Sequence, residues 1–213
     1  SARRPGGGPA LPRVENLRFC DCLAPRADDR IRRPAGAATA RPERTASPRR
    51  AEDWRKQLRE QIGDRVFNLG PKVAQRDMAL QALTDGLAVR GVIREFQRER
   101  VLLGLLKREA TAPTSLGNGV AIPHAKLSCI HAFIGALGIA RSGIDFGSPD
   151  GTPIQAIFLL LSPETHEKDH LALIGLLSRA VRTPDFVDRI TDAESVEEVQ
   201  RILREAEDFI LGA

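Results

Sequence analysis

Residues 154–163, IQAIFLLLSP, constrain the fold more than any other stretch of this chain. They read as the strongest strand in the sequence, apolar on both faces, and a strand of that kind needs cover from two sides. Pro163 ends it. Around it, patterns of period 3.6 and period 2 alternate. Residues 51–62 predict a helix with Trp54, Leu58 and Ile62 on one face, and DRVFNLG (64–70) a short strand or turn. Residues 72–91 predict a helix with a stripe through Met78, Leu80, Leu83 and Leu87, and residues 94–110 another that ends near Arg108 and Glu109. TAPTSLGNG (111–119) reads as a loop, VAIPHAKL (120–127) as a strand interrupted by Pro123, and residues 132–140 as a buried strand. A turn-rich link (142–153) leads into the central run. Helices follow over about 164–181, 185–190 and 195–210. The expected fold is an α/β (α+β) layered sandwich of about 150 residues, a mixed β-sheet covered by helices on both faces.

Charge divides the chain. The net charge of +4 is the sum of +7 in residues 1–50, which hold twelve Arg against five acids, and −3 in the remainder. Segments 1–13 and 24–50 are rich in Arg, Pro, Ala and Gly, with little to bury against the entropy of ordering. Two parts are therefore expected: an Arg/Pro-rich, largely disordered extension over 1–50 and a folded domain over 51–213. Because the basic charge belongs to the extension, no DNA is expected as a partner of the folded domain. The sequence has no run of 18 apolar residues, so no membrane span is expected. The N-terminus lacks the apolar stretch of a signal peptide. Cys20, Cys22 and Cys129 are an odd count, suited to a reducing compartment rather than a disulfide framework.

Two stretches carry histidines in chemically suggestive company. Residues 166–170, HEKDH, fit H-E-x-x-H, in which two histidines on one helical face bind zinc and the glutamate acts as base. Pro163 puts His166 in the first turn of the following helix, a poor mount for a ligand, and no third ligand is evident. His166 reads as a solvated residue, whereas His170 opens the apolar run LALIGLL and faces inward or toward a cleft. The second stretch is TSLGNGVAIPHAK. Gly117 and Gly119 around Asn118 leave backbone amides open, as in an anion-binding nest, and Pro123 stiffens the backbone before His124. On residues alone, a simple turn beside a core histidine accounts for this stretch as well.

REATAPTSLGNGVAIPHAKL resembles the active-site signature of the type 2 enzyme IIA domain of the bacterial phosphoenolpyruvate-dependent phosphotransferase system, the fructose/mannitol and nitrogen-regulatory branch. PDGTPIQAIFLLLSP and HEKDHLALIGLL are similar to the segments that follow in that family, so the resemblance runs from about Val66 to Phe209. It implies a phosphohistidine carrier. His124 would accept a phosphoryl group from HPr or a nitrogen-type HPr and pass it to an enzyme IIB or hold it as a signal for regulatory target proteins. Arg108 and His170 would complete the catalytic set. Thr114, Ser115, Gly117, Asn118 and Gly119 would meet the phosphoryl oxygens, Lys126 would add positive potential, and Val120, Ile122 and Leu127 would be shared between core and docking surface. The resemblance implies no cofactor and no metal, a cytoplasmic location, and regulation ahead of sugar uptake. A non-catalytic binding module of the same fold is the alternative, and a zinc hydrolase using His166, Glu167 and His170 a remote one. The family's opening helix has two counterparts here, LRFCDCLAPRADDRI and residues 52–62, and the second leads directly into the fold.

Overall fold

The sheet is built around Ile154–Pro163. In a computed structural model, which describes residues 57–211, the elements in chain order are α1 (Gln57–Ile62), β1 (Val66–Asn68), α2 (Arg76–Val89), α3 (Glu95–Thr111), β2 (Ser115–Gly117), β3 (Val120–Ala121), β4 (His124–Leu127), β5 (Ile134–Ile144), β6 (Ile154–Pro163), α4 (Glu167–Ala180), α5 (Phe186–Asp192) and α6 (Val196–Leu211). The extension over 1–50 and Trp54 lie outside the described residues.

The six-stranded sheet runs β1-β5-β6-β3-β2, and β4 also pairs with β6. It is mixed, as expected: β5 and β6 are antiparallel, while β1 is parallel to β5 and both β3 and β4 are parallel to β6. Val120 lies opposite Ala156 and His124 opposite Leu160, so β3 and β4 keep one register on β6. They form a single strand broken at Ile122 and Pro123, where proline has no N–H for the ladder.

Alternation along β6 explains its composition. Ala156 and Phe158 enter a core with Leu58 and Ile62 of α1, Leu176 of α4, Ile190 of α5 and Leu203 of α6. Ile157, Leu159 and Leu161 enter the opposite core with Leu80, Leu83 and Leu87 of α2 and Val101 and Leu105 of α3. Each fully buried large side chain contributes roughly 1.5–3 kcal/mol, and β6 supplies such side chains to both helical layers.

Boundaries differ from the sequence expectation in three places. The helix expected to end near Arg108 continues to Thr111, which puts Arg108 in its last turn. The expected loop 111–119 contains β2, turned back onto β3 by Gly117, Asn118 and Gly119, all with positive φ. Successive left-handed residues reverse the chain within three positions, and glycine adopts that conformation without steric cost. Finally, α4 starts at Glu167 rather than Glu164, leaving His166 at its N-cap with non-helical angles.

Candidate functional site

The break between β3 and β4 creates the first feature of the site. Ile122 donates its N–H to Thr114 O at 3.0 Å, so its polar groups face the β2 side of the strand and not β6. His124 Nδ1 lies 2.8 Å from the Ile122 carbonyl oxygen. A carbonyl only accepts, so Nδ1 carries the proton and the lone pair is on Nε2. Arg108 Nε donates to that nitrogen at 3.1 Å, while Nη1 of the same guanidinium donates to Ala112 O at 2.7 Å. Both contacts favour one tautomer, in which Nε2 is the nucleophilic atom. Burial pushes the His124 pKa below its ordinary value; the Ile122 bond opposes that shift, and the charges of Arg108 and Lys126 add to it. The ring is therefore neutral at neutral pH.

Arg108 reaches His124 because α3 lies close against β4. A Cβ placed on Gly104 would come within 2.7 Å of Leu127 Cδ2, so the glycine allows this approach. On the other side, α4 brings His170, buried at 3% exposure, beside His124 with ring centroids 5.3 Å apart. His170 Nδ1 is 2.7 Å from Ser162 Oγ at the end of β6. Burial, reinforced by the charges of His124, Lys126 and Arg108 and partly opposed by Glu167, lowers the His170 pKa from 6.5 to about 4. Lys126, also on β4, pairs with Glu167 at 2.7 Å, and that pairing holds the Glu167 carboxyl below its usual range.

These groups border a cleft of about 540 Å³ lined by residues that include Lys107, Arg108, His124, Lys126, His170 and Leu171. Its cations and apolar rim suit an anionic group carried on another protein's surface.

His124, Arg108, His170 and Lys126 are thus brought together. The glycine loop is not. Val120 pairs four residues before His124 along β6, so at ~3.3 Å per residue their Cα atoms lie about 13 Å apart, with Gly119 and Asn118 in the turn beyond Val120. The Asn118 N–H already donates to Asp150 Oδ2 at 3.1 Å, and Gly119 packs near Pro153 and Val187. Thr114 and Ser115 are nearer, but the Thr114 hydroxyl is engaged by buried Glu109, and the Ser115 hydroxyl is buried with no partner among the described residues. The stretch expected to meet the phosphoryl oxygens forms a hairpin turn between β2 and β3. Of the apolar residues expected to be shared with a docking surface, Val120 and Ile122 are buried in the core and Leu127 lines the cleft.

The H-E-x-x-H pattern also separates in space. The His166 ring meets Thr165 Oγ1 at 2.9 Å and the edge of Phe133, whereas His170 meets Ser162 and His124. Glu167 is occupied by Lys126, and among the described residues no group of three or more His, Cys, Asp or Glu is placed to hold a metal ion. Sequence reading missed Ser162, Lys107 and the Ile122 carbonyl. Ser162 had a faint signal, as the one polar side chain in the second half of an apolar strand.

Residues 61–206 match the family described as "Phosphoenolpyruvate-dependent sugar phosphotransferase system, EIIA 2". The chain is 33% identical over 140 residues to the PTS system fructose-specific EIIA component of Haloferax volcanii, covering 66% of this chain and 90% of that protein. It is 34% identical over 133 residues to a nitrogen regulatory protein of Bradyrhizobium diazoefficiens, covering 62% and 84%. The crystal structure of nitrogen regulatory protein IIA-Ntr from Neisseria meningitidis superposes with a TM-score of 0.62 at 27% identity, over 69% of this chain and 99% of that one. The fold is shared as well, at 20% identity and a TM-score of 0.55, with Escherichia coli enzyme IIA-mannitol in its complex with phosphorylated enzyme IIB-mannitol, over 67% and 96% of the two chains. Sequence and fold agree, and this chain belongs to the EIIA type 2 family of the phosphoenolpyruvate-dependent sugar phosphotransferase system.

Proposed function

We propose that this protein is a cytoplasmic phosphohistidine carrier that accepts a phosphoryl group on His124 Nε2 from an HPr-type phosphocarrier. The observation that carries the reading is the pair of contacts on one ring, Nδ1 to the Ile122 carbonyl and Nε2 to Arg108. A neutral imidazole with its proton held at Nδ1 attacks phosphorus through Nε2 without first losing a proton. The new P–Nε2 bond forms as the donor's P–N bond breaks. The positive charge left on the ring is met at Nδ1–H by Ile122 O. Arg108 leaves Nε2 for a phosphoryl oxygen, and Lys126 and His170 meet the charge spread over the other oxygens. The hairpin Ser115–Gly119 acts indirectly, by fixing Ile122.

For the recipient, an enzyme IIB and a regulatory target are the two destinations. We favour the regulatory one, because nitrogen regulatory protein IIA-Ntr superposes at 27% identity and a TM-score of 0.62, against 20% and 0.55 for enzyme IIA-mannitol. The test is phosphoryl transfer from phosphoenolpyruvate through enzyme I and either a sugar-type or a nitrogen-type HPr, read by intact mass. One acid-labile phosphoryl group, absent in His124→Ala, is the expected result. A group retained by that variant moves the site to another residue, and no group from either carrier overturns the proposal.

A further inference from the structure

Two imidazoles face one cleft, and they are held by opposite kinds of partner. His124 gives Nδ1 to a carbonyl, which can only accept. His170 gives Nδ1 to the Ser162 hydroxyl, which can donate or accept, so that contact alone leaves the tautomer open. Burial closes the choice. Ser162 is fully buried, and among the described residues His170 Nδ1 is the sole hydrogen-bond partner of its Oγ. If the ring donated from Nδ1, the hydroxyl hydrogen would have no acceptor in a water-free position, at a cost of a whole unmade hydrogen bond. If the hydroxyl donates to Nδ1, both groups are satisfied and the ring proton stays on Nε2. Among the described residues His170 Nε2 has no hydrogen-bond partner, and the ring lines the cleft beside His124.

We infer that Ser162 is a positioning residue: its buried hydroxyl locks His170 as the Nε2–H tautomer, so that the free ring nitrogen is a donor and never an acceptor. The two histidines then present complementary atoms, a lone pair on His124 Nε2 and an N–H on His170 Nε2. An acceptor at the second position would repel phosphoryl oxygens, and a cation there would add charge that the cleft's own cations disfavour. The depressed pKa of His170 agrees with a ring that remains neutral and relies on its tautomer, not on protonation, to supply the donor. The effect on transfer rests on the phosphocarrier reading above; the tautomer itself does not.

The experiment is long-range 1H–15N correlation on the full chain with 15N-labelled histidine, alongside transfer kinetics from phosphorylated HPr. In the wild type, His170 is expected to show a protonated Nε2 and a bare, hydrogen-bonded Nδ1; a proton on Nδ1 overturns the inference without any variant. In Ser162→Ala the Nδ1 signal should shift as its donor is lost, and transfer should slow about tenfold at unchanged KM, the kinetic equivalent of one neutral hydrogen bond. Ser162→Thr, which keeps the hydroxyl, should restore the wild-type Nδ1 signal. Ser162→Ala made in a His170→Ala background should add no further loss of rate, and an added loss would show that Ser162 does not act through His170. If the wild type takes no phosphoryl group, the carrier reading fails while the tautomer spectrum still decides this one.

Discussion

His170 ties the chemistry of the site to acid stability. A histidine whose pKa falls from 6.5 unfolded to about 4 folded binds fewer protons in the native state between those values. Stability therefore rises with pH across that window: the contribution is complete above 6.5 and is lost progressively as pH falls toward 4. The drop of two and a half units, at about 1.4 kcal/mol each, corresponds to about 3 kcal/mol. That is a large share of the ~5–15 kcal/mol that holds a typical domain. His170→Asn keeps an acceptor near the Nδ1 position for Ser162 and removes the titration. We expect urea unfolding of the wild type to lose about 3 kcal/mol more than the variant between pH 6.5 and pH 4, the carboxylate contributions being common to both. Parallel stability curves for the two proteins would refute the reasoning and mean that His170 accepts a proton in the folded state without penalty.

Two other substitutions separate chemistry from folding. Arg108→Lys keeps the charge but not the planar fork that reaches His124 Nε2 and Ala112 O together; transfer from phosphorylated HPr should fall by about 10²–10³ while chemical denaturation shifts by less than about 1 kcal/mol, and a wild-type rate would remove the fork from the mechanism. Gly135→Ala would put a Cβ 2.9 Å from the Gln61 carbonyl oxygen, against the backbone of α1 rather than a side chain that can turn aside. It should destabilise the domain by about 1–3 kcal/mol in denaturant titrations, and an unchanged midpoint would show that α1 shifts freely on β5.

What the sequence made legible follows from range. The two-sided cover of β6 was readable because a strand's period is local and its composition is the direct record of burial. The grouping of His124 and Arg108 was legible because their stretch carries a long motif, and that of His170 because HEKDHLALIGLL resembles the same family and its apolar run turns the ring inward. The setting of the Ser115–Gly119 hairpin was not legible, for the opposite reason. Glycines mark a backbone that can turn and present amides, but which ligand the amides face is set by register, and here the partner is Asp150, thirty-two residues away in sequence. The H-E-x-x-H match failed in a similar way. Its spacing presumes helix at both ends, and α4 begins one residue too late to hold His166. Ser162 stood out only faintly, as one polar side chain late in an apolar strand, because nothing local distinguishes a serine that ends a strand from one that orients a ring.

The placement of Ser162 and His124 on the same pair of strands gives the site its rigidity. Lys126 lies opposite Ser162, and His124 opposite Leu160, in one uninterrupted parallel register. The two histidine partners, the Ile122 carbonyl at the break between β3 and β4 and the Ser162 hydroxyl near the end of β6, are therefore both set by buried backbone beside the central strand. Each ring has its tautomer fixed by an element that cannot move without opening a core. In the proposed transfer, the groups that would follow the phosphoryl group are the movable ones: Arg108 in the last turn of α3, and Lys126 with its exposed partner Glu167. A carrier must give up what it accepts, so tight capture would defeat it. Fixing the nitrogens in the sheet and leaving the cations on flexible side chains lets the site orient the bond that forms while the charges adjust to whichever protein stands across the cleft.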